Sequence, residues 1–161
     1  MRLFQFFAAV LVSIATVLLT TLELPASFAL CVFVLFMILI GRYDQAYELI
    51  PNVYLLALFL SALGLSFLEA HLFKDVLWLL ASFLVLMIVS LGAEFVFKKT
   101  VIGMGDIKLL SIMGMVLHED ILLLLLGACV LFIVSALIQR KNSLAFGPYI
   151  VISWFILHLG I

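Results

Sequence analysis

A chain of 161 residues that is 68% hydrophobic and 11% charged is too apolar for a water-soluble fold, because soluble domains carry about 45–50% apolar and about 25% charged residues. The expected class is all-α, a polytopic bundle of transmembrane helices in one membrane-embedded domain over residues 1–161. A formal net charge of −1 singles out no charged partner class, and no nucleic acid is expected among the partners.

A membrane span takes about 20 apolar residues, and about seven candidate helices, giving six to seven spans, follow one another along the chain. The first covers roughly 3–22. It begins like a signal peptide, with Arg2 before the apolar run and Ala26-Ser27-Phe28-Ala29 behind it. Another apolar run follows at once, so a retained helix is expected. The second covers roughly 26–42, after the Leu24-Pro25 break, and the third roughly 52–69. Pro51 suits the first turn of the third, where a missing N–H costs nothing. The fourth covers roughly 75–97 and the fifth roughly 105–118. The fifth is short for a span, so it is expected to start inside the membrane or to lie buried in protein. The sixth covers roughly 120–138, and the seventh roughly 147–161, opening on Gly147-Pro148.

Cys31 and Cys129 stand singly in apolar runs and read as small core residues. There is no C-x-x-C pair, so a zinc ribbon is excluded. His71, His118 and His158 share no ligand-like spacing, and no metal is expected.

Lysine and arginine set the orientation. With seven helices, one side of the membrane receives Arg2, Arg42, Lys98, Lys99, Lys108, Arg140 and Lys141, and the other only Lys74. This predicts a cytoplasmic N-terminus. The opposite loops carry Glu23, Glu69, Asp75, Glu119 and Asp120.

Asp44 follows the second helix and Asp106 begins the fifth, which puts both on the cytoplasmic side. An Asp at the centre of a spanning helix costs about 2.5–3.5 kcal/mol, less near the interface, and such acids are retained for use. Two carboxyls brought together can share one proton, as aspartyl proteolysis requires. One activates water and the other polarises the scissile carbonyl and helps protonate the leaving amine. Asp106 ends Gly103-Met104-Gly105-Asp106. The glycines there, lacking Cβ atoms, let a substrate backbone approach closely. Glu94, near the end of the fourth helix, is expected to pair with Lys98 at i,i+4.

Three segments together resemble the type IV prepilin peptidases, which include the archaeal preflagellin peptidases. The first is Asp44, followed after five residues by Ile50-Pro51-Asn52. The second is Gly103-Met104-Gly105-Asp106-Ile107-Lys108-Leu109-Leu110. The third is Ala145-Phe146-Gly147-Pro148-Tyr149, opening the last helix. The resemblance runs from about residue 26 to the end of the chain and is carried by the combination.

It implies an aspartyl endopeptidase of the inner (cytoplasmic) membrane that cuts short basic leaders from prepilins or pseudopilins, with Asp44 and Asp106 as the catalytic pair. Gly103 and Gly105 would shape the site. Lys108, inside the matched motif, would steady the dyad's charge or touch substrate, and acidic Glu48 would meet the basic leader. The implied partners are prepilin-like substrates and the bilayer, and proteolysis would need no cofactor. Many bacterial members carry a cytoplasmic segment with paired C-x-x-C motifs and methylate the new N-terminus with S-adenosylmethionine. This chain passes straight from its first helix to its second, so neither that methyl donor nor zinc is expected.

Two other readings compete. A small transporter or proton-coupled carrier would also keep intramembrane acids, but no inverted repeat is present and the acids lie on one side. A presenilin-like protease would suit Gly-Met-Gly-Asp, but Phe146-Gly147-Pro148 stands where that group has Pro-Ala-Leu.

Overall fold

The computed structural model describes residues 24–98, 102–139 and 145–159. The first predicted helix, 3–22, lies outside the described residues, as do Arg2, Lys99, Arg140 and Lys141. The described chain is helical, in the order α1 (Leu24–Tyr47), α2 (Asn52–Leu68), α3 (Leu72–Phe97), α4 (Met104–Leu117), a 3-10 turn (His118–Asp120), α5 (Ile121–Gln139) and α6 (Gly147–Leu159).

Four of the helices end in a tight stop. Backbone with positive φ at Glu48, Ala70, Lys98 and His118 ends α1, α2, α3 and α4 in turn. At Glu48 the amide donates to the Asp44 carbonyl at 2.7 Å, and at Lys98 to the Glu94 carbonyl at 2.8 Å, each a left-handed cap closed by one bond. After α2 the amides of Ala70 and His71 reach back to Phe67 and Ser66, which is a Schellman closure without glycine. Pro51 is the N-cap of α2 (φ −67°, ψ 131°), one residue before the first turn expected for it.

Three helical segments are long and apolar enough to cross a membrane by length and composition: Phe28–Tyr47, Leu72–Phe97 and Met104–Gln139. Asn52–Leu68 and Gly147–His158 are apolar but shorter, so the described residues do not reach seven spans by this measure. The Met104–Gln139 segment is itself divided by the 3-10 turn, and α4 alone is short. At 14 residues it is about 21 Å long, and Ile107, Leu109, Leu110, Ile112, Met113, Met115 and Leu117 are all buried. It is the central post of the fold, buried in protein as expected for the short fifth helix, and α3 lies along it.

Around that post, α1 lies between α2 and α6, α6 also packs on α5, and α2 touches α4. Phe33, Met37, Leu58, Met113, Leu124 and Trp154 form the fully enclosed centre. Outward faces are apolar too: Leu80, Leu84, Ile88 and Leu91 on α3, and Leu122, Leu126, Ile133 and Leu137 on α5. Such continuous exposed apolar surface belongs in lipid. With no hydrophobic drive between helices in a bilayer, close packing needs small residues. A Cβ on Gly114 would sit 2.5 Å from Ser82 Oγ, and one on Gly127 would sit 2.5 Å from Ser153 Oγ. At these two points α3 meets α4 and α5 meets α6 without room for a side chain.

Several local expectations are corrected. Asp44 lies inside the last turn of α1, which runs on to Tyr47, rather than after the helix. Cys129 is exposed on α5 and is not a core residue. Among the described residues no ion pair joins Glu94 to Lys98; Lys98 instead closes α3 through its backbone. Asp75 is no loop residue: it is buried in the first turn of α3, 2.6 Å from His118 Nε2.

Candidate active site

The end of α1, the start of α4 and the start of α6 meet at one end of the bundle. Asp44 belongs to the last turn of α1, where the negative end of the helix dipole disfavours a carboxylate. The start of α6 compensates. The Gly147 amide donates to Asp44 Oδ2 at 2.8 Å, so a first-turn N–H that the helix itself cannot satisfy binds the acid. Asp44 is 5% exposed. Gly147 is buried against it: a Cβ there would meet Asp44 Oδ2 at 2.7 Å and Cγ at 3.2 Å.

Asp106 is in the first turn of α4, whose N-cap is Gly103. Its carboxylate folds back over Gly103, in the position of the acid half of a capping box. A Cβ on Gly103 would lie 3.1 Å from Asp106 Oδ2. Asp44 and Asp106 are close enough for their charges to act on each other, and the Glu48 charge also reaches Asp44. Asp44 is therefore held by a glycine N–H at the start of another helix, and Asp106 lies folded against the glycine that starts its own.

Packing fixes this arrangement from three sides. Tyr43 lies tilted against Tyr47 (4.5 Å) and meets Tyr54 edge-on (5.7 Å), which pins the end of α1 to α2. Tyr149 Oη donates to Ser135 Oγ at 2.6 Å, and Phe132 meets the rings of Phe146 and Tyr149 at 5.5 and 5.6 Å. These contacts pin the start of α6 to α5. Gly105 lets the first turn of α4 reach the α1–α2 connection, because a Cβ there would be 3.0 Å from Ile50 Cβ.

Of the residues singled out from sequence, Asp44, Asp106, Gly103 and Gly105 come together here. Glu48 is exposed at the rim, one turn beyond Asp44. Lys108 turns elsewhere. At 100° per residue it lies roughly 200° around α4 from Asp106, and its Nζ donates to Asn52 Oδ1 at 3.0 Å. Gly147 and Asn52 were missed as site residues. Both stand in the quoted segments Phe146-Gly147-Pro148 and Ile50-Pro51-Asn52, so a signal existed, but helix-start chemistry alone explained it.

No curated protein and no solved structure matches the chain. The profile of the type IV leader peptidase family matches residues 31–137, more than half of it. That stretch contains Asp44, Glu48, Gly103, Gly105, Asp106 and Lys108, and stops before Gly147. By this match, the chain that brings two acids to one end of a helical bundle belongs to the type IV leader peptidase family.

Proposed function

We propose that this protein is an aspartic endopeptidase of the inner (cytoplasmic) membrane that removes short basic leaders from prepilin or pseudopilin-like precursors, with Asp44 and Asp106 as its dyad. The observation that carries the reading is the meeting of two acids from different helices, Asp44 held by the Gly147 N–H and Asp106 folded against Gly103, each within the other's field. A lone capping Asp would need neither the second carboxylate nor the buried Gly147.

The chemistry follows from one shared proton. The ionised carboxyl takes a proton from water as the water oxygen attacks the scissile carbonyl carbon. The protonated carboxyl donates to the carbonyl oxygen, giving a tetrahedral gem-diol. Collapse breaks the C–N bond, and the leaving nitrogen receives the proton held by the dyad. The proton belongs to the pair. This cycle needs no metal or organic cofactor. Gly103 and Gly105 shape the site by letting Asp106 fold back and the first turn of α4 approach Ile50. Glu48 at the rim offers a carboxylate to the basic leader. Lysine and arginine counts support a cytoplasmic site, since Arg42, Lys98 and Lys108 lie towards the same end as the dyad.

Co-expression of the full chain with a prepilin, followed by the mobility shift on leader loss, tests the proposal. Wild type should cleave, and Asp44→Asn and Asp106→Asn should each abolish cleavage while the protein still accumulates in the membrane. Leader loss in either variant would overturn the dyad.

A further inference from the structure

A second polar group stands apart from the dyad. On the α2-facing side of α4, Lys108 reaches Asn52, the first residue of α2. Among the described residues no carboxylate pairs with this ammonium, which donates to a neutral amide oxygen. Using that oxygen leaves the Asn52 NH₂ as a further donor beside it.

This polar pair sits at the end of a groove of about 450 Å³ between α2 and α3, floored by α4. Leu55, Leu56 and Phe59 form one wall, Leu79 and Phe83 the other, and Ile112 the floor. The groove exists because α2 and α3, though joined by a short turn, hardly touch along their lengths: α3 packs instead on α4. Leu56 and Phe83 are exposed, so the groove opens sideways into the bilayer. It is apolar along its length and cationic at one end only.

We infer that this groove is a binding site for one anionic phospholipid, with the phosphate on Lys108 and Asn52 and an acyl chain between α2 and α3. Charge complementarity selects the occupant. An apolar chain alone would satisfy the walls and leave the Lys108 charge on a neutral amide. A free phosphate would satisfy Lys108 and leave the walls empty. An anionic amphiphile satisfies both, and basic pockets between membrane helices are suited to such head groups. Lys108 near a helix end also reaches the head-group level, with its methylenes lying along apolar surface. The site stands independently of the proteolytic reading, requiring only that the helices lie in lipid.

Native mass spectrometry of the purified full chain tests this, comparing retention of phosphatidylglycerol and of phosphatidylcholine with the same acyl chains. Wild type should retain phosphatidylglycerol preferentially. Lys108→Gln should reduce that preference roughly fivefold, the worth of one cation near an anionic lipid surface. Lys74→Gln, a cation at the far end of the bundle, should leave it unchanged. Leu56→Glu, which puts a like charge in the wall, should lower phosphatidylglycerol retention with Lys108 intact. Inorganic phosphate should not compete. Equal retention of the two lipids by wild type, an unchanged preference in Lys108→Gln, or full competition by inorganic phosphate would each overturn the assignment. So would displacement of neither lipid from Lys108→Gln together with a raised KM for precursor, since that result makes the groove a seat for the substrate's apolar helix.

Discussion

Substituting Gly147 by alanine isolates the contact that holds Asp44. No left-handed backbone is required at Gly147, so alanine changes only the space. The added Cβ would lie 2.7 Å from Asp44 Oδ2, 3.2 Å from Cγ and 3.3 Å from Cβ, well inside van der Waals contact with three atoms of one buried side chain. Helix α6 cannot readily retreat, because the Tyr149–Ser135 bond and the Phe132 rings fix its first turn. The carboxylate must move, and the 2.8 Å bond from the Gly147 amide is lost or stretched. A hydrogen bond to a charged group is worth about 1.5–3 kcal/mol. If that is lost from the reacting geometry, kcat/KM for precursor cleavage falls roughly 10- to 150-fold. The assay is leader release in detergent-solubilised membranes, with thermal unfolding measured in parallel. Gly92→Ala, where a Cβ meets nothing within 4 Å, serves as control and should cleave like wild type. Full activity in Gly147→Ala at wild-type stability would refute the claim that α6 positions Asp44.

Proteolysis by a shared-proton dyad gives a bell-shaped dependence of kcat/KM on pH. The rate falls on the acid side, where both carboxyls are protonated and neither accepts from water, and on the alkaline side, where both are ionised and neither donates; a profile flat through the acid limb would remove the dyad mechanism. Gly105→Ala should slow cleavage by pushing the first turn of α4 away from Ile50 Cβ, 3.0 Å from the new methyl position, and Ile50→Ala in the same chain should restore part of the rate; a double variant no faster than Gly105→Ala would dissociate the two residues. Asp75→Ala leaves His118 without its 2.6 Å partner and should lower stability by about 1–3 kcal/mol, nearer the low end because His118 is 26% exposed. Cleavage should persist in that variant once folded, since His118 and Asp106 are roughly 18 Å apart along α4; loss of turnover without loss of stability would contradict the separation of the two ends.

The helices themselves were legible in the chain because they are written in one-dimensional signals. Apolar runs, Pro51 and Gly147-Pro148 placed the starts of α2, α4 and α6 within a residue of where they stand. The end of α1 was misplaced by five residues. The polar stretch Arg42-Tyr43-Asp44-Gln45 looked like a loop, whereas the packed tyrosines and the α6 start carry the helix on to Tyr47. The reason is general: a polar residue continues a buried helix when a partner distant in sequence satisfies it, and no local pattern reports that partner.

Composition by itself determined that the chain is a bundle of apolar helices, and the paired motifs determined that Asp44 and Asp106 belong to one family's pattern. Both are properties of residue type and spacing, and they survive without knowledge of contacts. Tertiary structure decided the rest. It turned Gly147 from a helix start into the donor that holds Asp44, across 103 residues of chain. It moved Lys108 from the dyad's motif to Asn52 and a lipid-facing groove, because a two-residue step on an α-helix points to the opposite side. It also made a part-buried pair of Asp75 and His118, which the sequence had placed as an outer-loop acid and an isolated histidine. Each of these depends on which helix lies beside which, and that is set by packing of small and large side chains between elements far apart in the chain.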